Sequence, residues 1–263
     1  MRQQIPTGII GMVHLKALPG SPGFSGNIDA IENAAIADAN TLLAGGVDAI
    51  LIENFGDVPF QKNVDAVTVS SMTRIIREIV ELSDVPVGVN VLRNDAHSAL
   101  AIATITGASF IRINVHIGAM LTDQGLIEGQ AAQTLRMREN LGSDVAILAD
   151  VGVKHATPFD ENWTLEQEAK DAWFRGLADG LIISGGGTGS PTKSSDLERI
   201  RQAVPDAPLI VGSGVRQENF SEYTLATACI VGTAFKRDGI VENEVVLERV
   251  RELCHSSSDI GMS

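Results

Sequence analysis

Six short runs of the sequence, each rich in aliphatic or β-branched residues, end on a residue able to do chemistry: His14, Glu53, Asn90, Asn114, Asp150 and Ser184. Runs of this kind read as strands, in which every second side chain shares a face. If the terminal polar groups face one interior, their inward neighbours two residues back are Met12, Leu51, Gly88, Arg112, Leu148 and Ile182, with Ile210 and Gly212 as a seventh pair. Small or apolar groups then lie beneath a polar rim. Arg112 breaks the pattern, because a guanidinium one layer down needs a carboxylate partner, which Glu53 or Asp150 can supply. Glu53 and Asp150 are also the candidate general acid and base, since a carboxyl beside low-dielectric walls has a raised pKa. Asn90 and Asn114 can orient substrate hydroxyls or carbonyls, and Ser184 stands at the same rim. His14 can bind a substrate oxygen, donate a proton or bond a neighbouring loop. The competing reading for any one Asn or Asp at a strand end is a cap on the next loop. Convergence of five such residues argues for a site.

Lys154 and His155 follow Asp150 closely enough to reach the same rim. A lysine there forms a Schiff base, pairs with an anion, or is simply a solvated surface charge. The five histidines show no short metal-ligand spacing. His14, Glu53 and Asp150 are the one set that could hold a divalent metal in space, and the sequence calls for none.

A second signal lies in three late glycine turns: Ser184-Gly185-Gly186-Gly187-Thr188-Gly189, Gly212-Ser213-Gly214-Val215 and Gly232-Thr233-Ala234-Phe235. Glycines let backbone N–H groups approach an anion, and a helix N-terminus aimed at the same place adds positive potential. A phosphate fits both, with Gly187, Thr188, Gly189, Gly212, Ser213, Gly214, Gly232 and Thr233 as its candidate ligands. Ser213 and Thr233 would add hydroxyl donors, and the loop before Pro191-Thr192, read as a helix start, would close over the ligand. The alternative is a set of tight turns without a ligand.

The elements that must position these residues follow from the rhythm of the chain. Eight strand-like runs (9–14, 49–53, 87–90, 110–114, 146–150, 181–184, 209–212 and 229–232) alternate with amphipathic segments such as 31–43, 69–82 and 165–178. Gly45-Gly46, Gly107 and Gly176 read as helix-closing turns with positive φ. Eight regular βα units in 263 residues fit one (β/α)8 TIM barrel, whose sites lie at the C-terminal strand ends and whose phosphate clamp follows the seventh and eighth strands. A doubly wound open sheet uses the same alternation, but Pro19-Gly20-Ser21-Pro22-Gly23 lacks a dinucleotide fingerprint. The barrel is expected over about 7–254 of a single domain, with 255–263 a loose tail. Hydrophobic residues make up 44% of the chain and aromatics only 4%, so the core must be aliphatic. A net charge of −13 disfavours nucleic acid and anionic lipid as partners. Two cysteines do not make a disulfide scaffold, and no targeting signal or transmembrane run is evident, so a cytoplasmic setting is expected.

Longer strings resemble one family. Gly11-Met12-Val13-His14-Leu15 with Leu18-Pro19-Gly20-Ser21-Pro22, Glu53-Asn54 with Asp57-Val58-Pro59-Phe60, Gly88-Val89-Asn90-Val91-Leu92-Arg93-Asn94-Asp95, and Ala149-Asp150-Val151 with Lys154-His155 resemble the BtpA/SgcQ family over about 5–253. The resemblance implies a ribulose-phosphate-binding type of barrel and marks His14, Glu53, Asn54, Asn90, Arg93, Asn94, Asp95, Asn114, Asp150, Lys154 and His155 as site-lining. It names no catalytic residue, and three consecutive glycines in the sixth loop depart from the expected pattern. The family name points to photosystem I biogenesis and other members to carbohydrate-utilisation gene sets. The leading expectation is an isomerase or aldolase-type enzyme that binds a phosphorylated sugar-like metabolite. The rivals are a non-catalytic assembly factor and an enzyme holding flavin mononucleotide (FMN) by its phosphate. No cofactor is required by the sequence, and a homo-oligomer is the base-rate expectation.

Overall fold

The computed structural model describes residues 2–160, 162–185 and 189–259. Eight parallel strands close into a barrel: β1 (Gly8–His14), β2 (Ala49–Glu53), β3 (Val87–Asn90), β4 (Phe110–Ile113), β7 (Ala146–Val151), β9 (Gly180–Ile183), β10 (Leu209–Val211) and β11 (Ala228–Val231). β1 pairs with both β2 and β11, which closes the ring. The barrel strands coincide with the expected runs to within a residue or so, because aliphatic residues buried on both faces leave few other readings.

Inside the ring, Ile10, Met12, Leu51, Phe110, Leu148, Ile182, Ile210 and Ile230 pack as one cluster. Gly88 is required there, since a Cβ on it would stand 2.2 Å from the Phe110 ring. A larger cluster joins the outer strand faces to the helices, with Ile50, Ile52, Val89, Ile111 and Ile147 against Leu42, Met72, Ile75, Ile79 and Leu100. Those helices are α1 (Ile28–Gly45), α2 (Ala66–Leu82), α3 (Ala96–Thr106), α4 (Ala131–Asn140), α5 (Leu165–Lys170), α6 (Ser194–Ala203) and α7 (Leu247–Asp259). Asn27 caps α1 by accepting from Ala30 N–H, and Gly46 ends it at φ 89°. No described helix is long and apolar enough to cross a membrane.

The structure departs from the sequence reading in five places. The strand pair β5 (Ala119–Thr122) and β6 (Gly125–Glu128), with β8 (Ala156–Pro158), forms a small antiparallel sheet beside the barrel mouth. Its strands are too short to show alternation. After β10 and β11 the chain first makes 3₁₀ turns, Gln217–Tyr223 and Thr233–Phe235, where the βα alternation predicts helix N-termini. The segment read as one helix over 165–178 changes after Lys170 to a π turn, Asp171–Arg175. Gly176, at φ −78°, is not the positive-φ residue there; Leu177, at φ 50°, is. Gly176 is instead required for space, since a Cβ would lie 2.8 Å from both the Ala172 carbonyl oxygen and Ile117. Finally, α7 continues past His255 to Asp259.

Candidate functional site

The register sets the first row of the site. His14 is paired with Glu53, Glu53 with Asn90, and Asn90 with Arg112, so four adjacent strands present these side chains at one level. Arg112 therefore belongs to this row, level with Glu53, because the strands are staggered around the ring. Asp150 lies two residues beyond the partner of Arg112, Leu148, and reaches back to it. Arg112 Nε and Nη2 donate to the two Asp150 oxygens at 2.8 and 2.9 Å, and Asn114 Nδ2 donates to Asp150 Oδ2 at 2.9 Å. Of the two carboxylates expected to partner Arg112, Asp150 is the one that does. Both its oxygens are taken by donors.

Glu53 has a different environment. Asn90 Nδ2 donates to Glu53 Oε2 at 2.5 Å, and the carboxyl is buried. Burial raises its pKa, against the opposing pull of Arg112, Lys154 and the Asn90 amide. His14 packs edge-on against Phe55, with ring centroids 5.0 Å apart. Burial, helped by the charges of Lys236, Arg112 and Lys154, lowers its pKa to about 3, so the ring is uncharged at neutral pH. Lys154 is not a solvated surface charge: its Nζ donates to the Gly212 carbonyl oxygen at 3.3 Å, and burial with Arg112 nearby lowers its pKa to about 8.

A cavity of about 960 Å³ opens at the C-terminal strand ends, a size suited to a small metabolite. His14, Glu53, Arg93, Arg112, Asn114, Asp150, Lys154 and His155 line one part of it, and Gly189, Gly212, Ser213, Gly214, Gly232 and Thr233 another. His14 Nδ1 and Asn114 Oδ1 are buried with no hydrogen-bond partner among the described residues, two groups that a ligand can satisfy. Sequence reasoning also missed Phe55, Phe60, Arg216 and Arg249 in the wall. Arg216 stands two residues past Gly214, a place that the glycine-turn signal could have extended to. Arg249 comes from the last helix, α7, which nothing local ties to the mouth.

Other expected residues stand elsewhere. Asn54 is buried outside this cavity, its Nδ2 donating to Asp57 and to the Leu92 carbonyl while its Oδ1 accepts from Leu92 N–H. Asn54 therefore ties the loop after β2 to the loop after β3. Asn94 ties the loop after β3 to Val115, and Asp95 caps α3 by accepting from Ser98. Asn90 sits behind Glu53. Ser184 is tucked under Gly212, where a Cβ would come 2.3 Å from its Oγ. Gly187 and Thr188 lie outside the described residues.

The glycine turns are built for close approach. Gly214, at φ 69°, brings the turn after β10 so near Pro191 that a Cβ would lie 2.3 Å from its Cα. A Cβ on Gly232 would meet the His14 ring at 2.8 Å. Ser213 Oγ donates to the Ser190 carbonyl and accepts from Gly185 N–H, so this hydroxyl fastens two loops together. Among the described residues the N–H groups of Gly214, Thr233 and Ala234 have no backbone acceptor. The 3₁₀ turn after β11 is too short to supply the expected helix field. The positive charges nearest to these turns in the cavity wall are instead side chains, Lys154, Arg93, Arg112, Arg216 and Arg249, set among the acidic Glu53, Asp150, Glu218, Asp238, Glu248 and Glu252. Among the described residues no group of three His, Cys, Asp or Glu side chains is arranged to hold a metal ion, so His14, Glu53 and Asp150 do not form one.

Comparison with known proteins places this geometry. A model of the BtpA family matches residues 6–258. The chain is 50% identical over 240 residues to the photosystem I biogenesis protein BtpA of Synechocystis sp., covering 90% of this chain and 83% of that one. It is 34% identical over 248 residues to the putative sgc region protein SgcQ of Escherichia coli, covering 93% and 91%. Among solved structures, KGPDC from Streptococcus mutans superposes with a TM-score of 0.60 at 12% identity, covering 98% of this chain and all (100%) of that one. N-(5'-phosphoribosyl)anthranilate isomerase from Pyrococcus furiosus superposes with a TM-score of 0.58 at 11% identity, covering 96% and 99%. At such identities the superpositions speak to the barrel alone.

Proposed function

This chain belongs to the BtpA family, and from that premise we propose that it is an enzyme acting on a phosphorylated sugar-like metabolite by proton transfer, as an isomerase or aldolase-type lyase. The observation that carries the reading is the division of one cavity between glycine turns with a half-buried lysine and a buried glutamic acid whose pKa is raised. The phosphate is held by the N–H groups of the turns after β10 and β11, with Lys154 beside them supplying charge. Glu53 takes and returns the proton, since burial moves a carboxyl toward the pH at which exchange is efficient. Asp150 is reassigned from proton carrier to the fixed partner of Arg112, because both its oxygens are already engaged by three donors. Arg112, Asn114 and His14 then bind the oxygens of the carbon chain. The fold shared with a phosphoribosyl isomerase and with KGPDC is consistent with such a ligand, as an analogy.

The test is exchange of substrate C–H protons for deuterium. A panel of aldose and ketose phosphates is incubated with the protein in D2O and followed by NMR. One member should exchange with the native chain and not with Glu53→Gln, and exchange surviving that substitution would remove Glu53 from its role. A second reading, a non-catalytic assembly factor, is favoured by the name of the Synechocystis relative. It predicts that Glu53→Gln fully restores photosystem I in cells lacking that relative, whereas the enzyme reading predicts failure.

A further inference from the structure

Arg93 is the buried cation of the mouth that the proposed reaction leaves unused, Arg216 and Arg249 being exposed. The other buried cations each meet a carboxylate: Arg112 meets Asp150, Arg138 meets Asp179 and Lys236 meets Asp38. Arg93 is 7% exposed and lines the cavity, yet among the described residues no carboxylate lies within ion-pair distance of it. Its Nη2 donates to the Lys154 carbonyl oxygen, while Asp150, Asp123 and Glu53 act on it only through space. A guanidinium carries five N–H donors in a planar fork, so one carbonyl leaves most of that fork unused. Burial without a counter-charge costs free energy that a bound anion would recover.

Its position gives the anion a place on the ligand. Arg93 follows β3, whereas the glycine turns follow β10 and β11. In the closed ring β3 and β10 stand four strands apart, on opposite sides. A ligand anchored by its phosphate at the glycine turns therefore presents its far end to Arg93. We propose that Arg93 binds a carboxylate at that far end, so that the substrate class is a phosphorylated sugar acid or a similar chain with phosphate at one end and carboxylate at the other. This rests on the phosphate reading above. A carboxylate is preferred because the same mouth already pairs one with a guanidinium in the two-pronged geometry of Arg112 and Asp150.

Titration calorimetry with the full chain tests the assignment, using 6-phosphogluconate, glucose 6-phosphate, fructose 1,6-bisphosphate and inorganic phosphate as probes. The first two differ at C1, a carboxylate on an open chain in 6-phosphogluconate and the hemiacetal carbon of a ring in glucose 6-phosphate, so the Arg93 variants are what isolate the carboxylate. The native chain should bind 6-phosphogluconate about ten-fold more tightly than glucose 6-phosphate, as a charge-assisted two-pronged bond requires. Arg93→Met should erase that preference and leave glucose 6-phosphate affinity unchanged. Arg93→Lys, which keeps the charge and removes the fork, should lose most of it and guards against a Met variant that fails to fold. Equal affinity of the native chain for the two probes overturns the carboxylate site while leaving the phosphate anchor standing. So does a preference for the bisphosphate over 6-phosphogluconate, or a preference for 6-phosphogluconate that survives both variants. Silence of all four probes overturns the anchor, and this assignment with it.

Discussion

Three buried carboxyls in or behind the mouth differ in what surrounds them, and each difference has a measurable consequence. Glu53 keeps one amide donor and a raised pKa, so Glu53→Gln should lower turnover of the substrate by about 10²-fold or more while ligand affinity changes little. Asp150 holds a buried guanidinium by both oxygens, so Asp150→Asn should cost about 3 kcal/mol in urea unfolding by leaving Arg112 without its counter-charge. Glu168, buried on α5, accepts from Gly152 N–H at 3.0 Å, and burial raises its pKa from 4.5 to about 7. Between those values the folded chain holds a proton that the unfolded chain has released. That contribution to stability is complete below pH 4.5 and is lost as pH rises through 7. Relative to Glu168→Gln, which has no such group, the native chain should therefore lose up to about 3 kcal/mol across that window. Parallel melting curves of the two proteins would contradict the assignment.

At the scale of elements, the proposed phosphate site depends on how closely two turns approach their neighbours. Gly214→Ala puts a methyl group against Pro191 in a left-handed conformation, and should abolish stabilisation by phosphorylated ligands as well as lower the melting temperature. Gly26, at φ 86° with nothing within 4 Å of a built Cβ, supplies the control: Gly26→Ala carries the backbone strain without the clash and should leave ligand binding intact. The barrel strands, their inward residues and the need of Arg112 for an acid were legible in the sequence because they follow from strand alternation and from the cost of a buried charge. The division of labour among asparagines was not. Asn54 and Asn94 clamp loops while Asn114 faces the cavity, and only contacts between distant loops decide that. The hairpin of β5 and β6 was missed because its signal is a local turn, in which Thr122 Oγ1 donates to the Gly125 carbonyl and accepts from Gln124 N–H. The inward course of Lys154 depends on the carbonyl of Gly212, 58 residues away in sequence.

At the scale of the whole molecule, a net charge of −13 accompanies a mouth in which Arg93, Arg112, Lys154, Arg216 and Arg249 stand among Glu53, Asp150, Glu218, Asp238, Glu248 and Glu252. The net charge repels a polyanion at long range, so a small anion must be held by close contact with particular basic groups rather than by the field of the whole mouth. The account as a whole rests on that mouth holding a phosphorylated ligand. The most direct measurement is thermal unfolding of the native chain against a panel of sugar phosphates, phosphorylated sugar acids, inorganic phosphate and FMN. A phosphorylated sugar or sugar acid at about 100 times its dissociation constant should stabilise the native state by roughly 2.7 kcal/mol. The effect should disappear in Gly214→Ala and persist in Gly26→Ala. Stabilisation by FMN alone would replace the sugar phosphate with a flavin, and no stabilisation by any phosphorylated compound would contradict the account.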